Sequence, residues 1–472
     1  MSDARLSSAP LRVLGGFGQA VNAACRYLAP RDAGELAEAL ARASREGMAV
    51  ALRGSGRSYG DAALGDLVVD TSGLRDLSFD PATGVATAGP GVTIEQLWRE
   101  ALPHGYWPAV VPGTMAPTLA GCLAANVHGK NAFRAGPTGE HVESFDLLTA
   151  SGETLRCSPT ERPEIFHAAI GGFGALGAFT RVQIRLKKIE SGLLRVEPIR
   201  GRSLAELFDR FEERLPAADY LVGWIDATAS GASLGRGQLH QGNYLSAGED
   251  PEGPTSTLRV ERQGLPGTIF GVPKGILWRF LRPFMWPPGM RLLNLAKYLA
   301  GYLQPAGKSY LQSHVAFAFL LDYVPDWRRA YGRAGFIQFQ PFVPKETARE
   351  TFRELLSLCQ REGMPPFLAV LKRHRPDPFL LTHGLDGWSL AMDFPAADRE
   401  RLWALCHRMS ERVLDAGGRF YFAKDAVLRP LDVERAFGRE RLGRFFELKR
   451  RLDPGGLFQT SLWRRVAPPP PL

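Results

Sequence analysis

Apolar positions recur every three to four residues over 36–43, and the period then shortens. Asp32-Ala33-Gly34-Glu35 precedes that stretch as a capping box. Leu36, Leu40 and Ala43 share one face and Gly47 closes it, so a helix is predicted. Residues 48–52 form a short apolar run of strand type, leading straight into Arg53-Gly54-Ser55-Gly56-Arg57-Ser58-Tyr59-Gly60. Residues 67–70 and 85–88 read as further strands, and Thr93-Ile94-Glu95-Gln96 caps a second helix that stops before Pro103.

The pattern changes after Lys187-Lys188. Residues 195–235 read as strand, helix, strand, with the helix over 203–214. From 248 to about 310 Pro and Gly break the chain into basic and aromatic pieces. Regular structure returns with a strand at 335–343, a helix at 345–361 and strands near 367–372 and 388–394. A helix over 397–416 ends at Gly417-Gly418, and the polyproline tail after Ala467 reads as frayed. This is an α+β pattern dense in glycine turns.

A chain of 472 residues, 45% hydrophobic and 23% charged, is long enough for two domains and has the composition of a globular protein. Its 51 Gly and 35 Pro follow no period, which excludes collagen-like and solenoid designs. The formal charge of +9 suits an anionic partner, and equally a coding bias toward Arg. No basic block interleaved with aromatics marks a nucleic-acid groove. Cys25, Cys122, Cys157, Cys359 and Cys406 are far apart and odd in number, so they read as buried free thiols of a cytoplasmic protein and not as metal ligands. Neither a secretion signal nor an uncharged run of roughly 18 residues is seen.

The glycine loop between two strands offers open N–H groups and positive φ angles, the requirements for wrapping a pyrophosphate. It is neither a Rossmann fingerprint nor a P-loop, and by itself it reads rather as an ordinary glycine turn. Two further small-residue segments change its meaning. One contains Gly113 and Thr118-Leu119-Ala120-Gly121-Cys122-Leu123-Ala124-Ala125-Asn126-Val127-His128-Gly129-Lys130-Asn131. The other is Gly171-Gly172-Phe173-Gly174-Ala175-Leu176-Gly177-Ala178. Such stretches let backbone lie flat against a planar ligand.

In order and spacing these three elements resemble the flavin-binding domain of the vanillyl-alcohol-oxidase (PCMH-type FAD) superfamily. Several segments are also similar to the decaprenylphosphoryl-β-D-ribose 2-oxidase family, the flavin half of an epimerase that makes a lipid-linked arabinose donor for cell wall arabinan. They are residues 54–61, His128-Gly129-Lys130-Asn131, Phe145-Asp146-Leu147-Leu148-Thr149-Ala150, residues 336–344, Asp393-Phe394-Pro395 and Tyr421-Phe422-Ala423-Lys424-Asp425. The resemblance runs from about residue 12 to 466 and is weakest between 240 and 310.

It implies a two-domain fold: an FAD-binding domain over 1–195 completed by 419–472, and a substrate domain over 196–418 on an antiparallel sheet flanked by helices. Residues 53–60 and 118–121 would hold the FAD pyrophosphate, with Gly113, Ala125, Asn126, Val127, His128, Ala178 and Tyr421 lining the rest of the cofactor. Many members attach FAD through a His in the first loop; this chain has Arg57 there, so non-covalent FAD is expected.

Oxidising an alcohol with a flavin needs a base for the hydroxyl proton. Lys424, among aromatics in what reads as a Tyr-Phe-Ala-Lys strand, would be desolvated and able to act as that base; by its residues alone it reads rather as a strand-end lysine reaching water, and the resemblance turns the reading toward the base. His128 is a core histidine or, by the resemblance, a proton relay or substrate anchor. Lys130 reads as a partner for a substrate phosphate or as a solvated charge. Gln338 and Gln340 alternate along one strand and so share a face, where they either bracket sugar hydroxyls or form a polar edge. Tyr59 and Lys372 match further pocket positions, and Ser389 and Ala391 stand where the family has Asn and Cys, which alters the pocket.

The implied reaction oxidises a secondary hydroxyl of a polyprenyl-phosphate-linked sugar, and a partner short-chain reductase would complete an epimerisation. An alditol or aldonolactone-type oxidase of a soluble sugar, or a flavin-binding membrane-associated scaffold without turnover, are the alternatives. Residues 270–303 place Phe270, Trp278, Phe280, Phe284, Met285 and Trp286 among Lys274, Arg279, Arg282, Arg291 and Lys297. That composition suits peripheral contact with the inner face of a membrane, a mobile lid or a helical core hairpin.

Overall fold

A computed structural model describes residues 6–269, 271–301 and 308–467; Phe270 and the polyproline tail lie outside them. The helix Ala33–Arg45 buries Leu36, Leu40 and Ala43, with Gly47 at φ +65° as the stop. Its capping box is half formed. Asp32 accepts from Glu35 N, but the Glu35 carboxylate reaches past Asp32 to Arg31 N. At Ile94–Ala101 both halves of the box are present.

Two larger sheets and the short pair Tyr106–Trp107 with Lys187–Lys188 make up the N-terminal part. The first has strand order Leu11–Gly15, Asn22–Leu28, Leu67–Asp70, Val50–Arg53, the last three parallel. The second is antiparallel, in the order Leu77–Asp80, Val85–Ala88, Ala178–Arg185, Val142–Leu148, Thr154–Cys157. The glycine loop leaves the end of Val50–Arg53 and returns at Leu67, so it lies at the rim of the first sheet.

The third sheet has nine strands. Its order is Tyr310–Ser313, Leu193–Gly201, Gly237–Tyr244, Tyr220–Ile225, Leu368–His374, Gly387–Pro395, Pro341–Pro344, Arg419–Phe420, with Phe336–Phe339 also on Gly387–Pro395. The strand expected at 335–343 is therefore interrupted at Gln340, yet both halves keep one register: Gln338 faces Asp393, and Phe342 faces Ser389.

Because side chains alternate across a strand, this register sorts the residues into two faces. Trp388, Leu390, Met392 and Phe394 point to a helical layer, where Trp388 meets the rings of Phe208 and Phe211 at 4.7 and 4.8 Å. Ser389, Ala391 and Asp393 point the other way. They share that face with Gln338 and Gln340, with Val370, Lys372 and His374, and with Trp224.

Two sequence expectations need correction. Residues 248–310 are not without regular structure, since the helix Pro287–Ala300 lies there with Asn294 and Tyr298 buried. Pro287 and Pro288 open that helix, in the first turn where a missing N–H costs nothing. And Tyr421 to Lys424 is a turn, not a strand: only Arg419–Phe420 is paired, and Lys424 N donates to Tyr421 O at 2.9 Å.

Candidate active site

The turn that carries Lys424 is laced to the glycine loop. Tyr59 N donates to Ala423 O at 2.8 Å, and a Cβ on Gly60 would lie 1.9 Å from Asp425 O, so only glycine fits there. Asp425 accepts from Val427 N and Leu428 N, and Arg465 clamps Asp425 and Asp61 together at 2.9 and 2.8 Å. These bonds bend the chain away from strand geometry and place the Lys424 ammonium 3.7 Å from the centre of the Tyr59 ring. Tyr59 is itself fixed by Phe17 and Phe336, at 5.2 and 5.4 Å.

Asp393 stands opposite. It is fully buried, its Oδ1 accepts from Gln338 Nε2, and its Oδ2 has no hydrogen-bond partner. Burial pushes the Asp393 carboxyl up, against the pull of Gln338 and Lys424. Burial likewise pulls the Lys424 ammonium well down, with Asp393 opposing and Lys372 assisting. Lys372 is lowered to about 8 by desolvation. Lys372 on the sheet face and Lys424 on the facing turn are thus amines whose neutral form is within reach near neutral pH.

His128 comes from the other side, in the small-residue segment. Its Nε2 lies 3.0 Å from Gln340 Nε2, and its ring meets Tyr421, His374 and His383 at centroid distances of 5.2, 4.9 and 5.3 Å. Burial first, then the nearby Lys372, holds this imidazole far below its usual range, so it is neutral. Lys130 is arranged differently. Its ammonium donates to Phe317 O and, at 2.9 Å, to Ala318 O, which ties it to the end of the helix His314–Ala318.

The residues expected to line the cofactor gather on the N-terminal side. Arg53 donates to Gly15 O at 3.1 Å and Gly56 takes φ +63°. A Cβ on Gly54 would meet Thr118 Oγ1 at 2.2 Å; that hydroxyl also caps Gly121 N, opening the helix Leu119–Ala124. Ser55 and Ser58 lie half-buried in the same loop. Gly113 O accepts from Leu321 N, Val127 O from Thr138 N, and buried Ala125 and Ala178 supply small walls.

Sequence reasoning passed over Asp393 as a site residue, and His374 and His383 altogether. The strand spacing held a signal for two of them: Asp393 is two positions past Ala391, and His374 two past Lys372. His383 lies in a loop and carried none.

Comparison with known proteins fits this geometry. The model of an FAD binding domain matches residues 25–158. Decaprenylphosphoryl-β-D-ribose oxidase of Mycolicibacterium smegmatis is 31% identical over 463 residues, 96% of each chain. The chain belongs to this oxidase family. A further relative, an uncharacterised protein from the mprA 5′ region of Streptomyces coelicolor, is 29% identical over 377 residues, 79% of this chain and all of that one. Rice cytokinin dehydrogenase 6 is 35% identical over 189 residues, 37% of this chain and 36% of its own.

As a member of this oxidase family the protein is an FAD-dependent oxidoreductase acting on CH–OH groups. Its residues fit the cofactor. Arg57 Nε, Asn126 Nδ2 and His128 Nδ1 are buried and lack any hydrogen-bond partner, all within the segments expected to line FAD. Buried polar atoms of that kind call for a ligand. Among the described residues no group of three or more His, Cys, Asp or Glu is placed to hold a metal.

Proposed function

We propose that this oxidase converts a secondary hydroxyl of a polyprenyl-phosphate-linked sugar to a ketone, in the manner of a ribose 2-oxidase. The observation that carries the reading is the Lys424 ammonium, desolvated over the Tyr59 ring and facing the amide-lined sheet. FAD, when bound, supplies the acceptor for the hydride. Lys424 Nζ takes the hydroxyl proton, since a lysine kept from water gives up its own proton readily and is free to accept another. Gln338, Gln340 and Ser389 hydrogen-bond the neighbouring hydroxyls, Lys372 meets negative charge on the substrate, and His128 donates to the oxygen being oxidised. Arg57 cannot form the bond to flavin that a histidine makes, so FAD is held non-covalently.

The lipid-linked substrate is supported by the surface around the helix Pro287–Ala300. Phe280, Trp286, Leu292 and Leu299 are exposed there beside Arg279, Arg282 and Arg291, an arrangement that suits an anionic bilayer surface. No described helix is long and apolar enough to cross a membrane. A keto sugar released there would be reduced by a short-chain reductase to finish an epimerisation.

Anaerobic mixing tests the reading. Flavin absorbance bleached by a polyprenyl-phosphate pentose, and not by soluble polyols or aldonolactones, is the expected result. Bleaching by the soluble compounds alone would move the assignment to an alditol-type oxidase. Flavin retained in an acid-precipitated pellet would refute non-covalent binding.

A further inference from the structure

Four polar side chains form an unbroken line across the large sheet. His374 Nε2 lies 2.8 Å from Ser389 Oγ, Gln340 Nε2 donates to the same hydroxyl at 3.3 Å, and it also lies 3.0 Å from His128 Nε2. The four residues are between 0 and 7% exposed, so water does not interrupt the line. The rings of His374 and His128 also touch edge to face, 4.9 Å between centroids. Phe342 packs on both, at 4.6 and 5.6 Å.

Such a line has a direction. The Gln340 amide nitrogen carries two hydrogens, and its two neighbours here are Ser389 Oγ and His128 Nε2. A neutral imidazole that accepts at Nε2 must carry its proton on Nδ1. Ser389 accepts from Gln340, and the one acceptor beside its own buried hydrogen among these partners is His374 Nε2; sending the hydrogen there leaves no contact of the line without its hydrogen and puts the His374 proton on Nδ1 as well. Reversing the line would turn the amide over and put both protons on Nε2. One histidine's tautomer therefore dictates the other's, through a serine and an amide with no water to break the coupling.

We propose that His374 is a positioning residue: through Ser389 and Gln340 it fixes the tautomer and ring orientation of His128, so that the buried Nδ1–H of His128 is presented to the substrate oxygen. That nitrogen has no acceptor in the protein. The proposal deepens the reading of this site as a sugar oxidase and rests on it for the identity of the oxygen. The tautomer coupling stands on the geometry alone.

The test uses FAD-loaded protein with its histidine rings labelled with nitrogen-15. Long-range proton–nitrogen spectra, with His128 assigned by His128→Asn, report the tautomer without any substrate. The expected result is an Nδ1–H form for His128 that is lost in Ser389→Ala and His374→Phe and kept in His374→Gln, whose amide reaches the same hydroxyl. With a sugar that bleaches the flavin, kcat should fall roughly tenfold to a hundredfold in the first two variants, as when a histidine loses its orienting partner. In His374→Phe KM should stay within about threefold, and His374→Gln should recover most of the rate. A tautomer unchanged in His374→Phe, or an Nε2–H form in the unsubstituted protein, would overturn the proposal. If the tautomers respond as expected but no sugar bleaches the flavin, the coupling is supported and the sugar reading is what fails.

Discussion

Lys424 Nζ lies 3.7 Å from the centre of the Tyr59 ring, and its charge is answered by Asp393 from the facing sheet. A ring face attracts a cation but accepts no ordinary hydrogen bond, so the amine keeps its donors and its lone pair for a ligand. Replacing Lys424 by Ala should leave flavin bound and slow anaerobic flavin reduction by about 10²- to 10⁴-fold, the usual worth of a positioned base. Stopped-flow bleaching measures it; a normal rate would remove Lys424 from the chemistry.

The pH dependence follows from the same pair. Lys424 accepts a proton only when neutral, and burial lowers its pKa from 10.5. Flavin reduction should rise with pH and level off well short of 10.5. The Asp393 charge raises the Lys424 pKa, so Asp393→Asn should move the rising limb to lower pH, by roughly one unit. A limb that moves upward would contradict the pairing.

Lys372 carries a stability cost with a defined sign. Its folded pKa is about 8, below the unfolded 10.5, so between those values the unfolded chain binds more protons. Its contribution therefore opposes folding fully below pH 8 and fades as pH rises to 10.5. Lys372→Met should stabilise the protein at pH 7 by roughly 1–2 kcal/mol, seen as a higher thermal midpoint, while raising KM for an anionic substrate. An equal gain at pH 7 and pH 10.5 would show that packing, and not charge, is responsible.

Gly54→Ala addresses the cofactor cradle. The new methyl would meet Thr118 Oγ1 at 2.2 Å, forcing apart the loop and the first turn of the helix Leu119–Ala124. FAD affinity should fall about tenfold or more, since strain of this kind costs on the order of 1–3 kcal/mol. Fluorescence titration of flavin into apoprotein would read it.

The exposed aromatic surface makes a separate prediction. Phe280, Trp286 and Leu292 replaced together by Ser should reduce co-sedimentation with anionic phospholipid vesicles several-fold, while flavin content stays the same. Unaltered sedimentation would reassign this surface.

Local signals in the sequence reached some of these features and not others. The glycine loop was legible because positive φ and close backbone approach select glycine at Gly54, Gly56 and Gly60. Gln338 and Gln340 were legible because strand alternation puts them on one face. The Lys424 turn was not: Tyr-Phe-Ala-Lys has strand composition, and what bends it is Arg465, 40 residues away from Asp425, together with Tyr59. His374 and His383 escaped notice because a buried histidine looks like any core residue until its neighbours are known. Asp393 opens an Asp-Phe-Pro segment that the family resemblance covers, but its burial without a bonded cation shows only in three dimensions.

The alternation of the large sheet has a consequence for how such an oxidase can change over generations. Trp388, Leu390, Met392 and Phe394 serve the helical layer, while Ser389, Ala391 and Asp393 line the opposite face, where the proposed site lies, and the two sets are interleaved on one strand. A single codon change in the second set alters that face without disturbing the residues that keep the strand in register. On the proposed reading of the site, selection for a new alcohol would proceed one position at a time along Gly387–Pro395 and its neighbours, leaving the loops that cradle the flavin untouched.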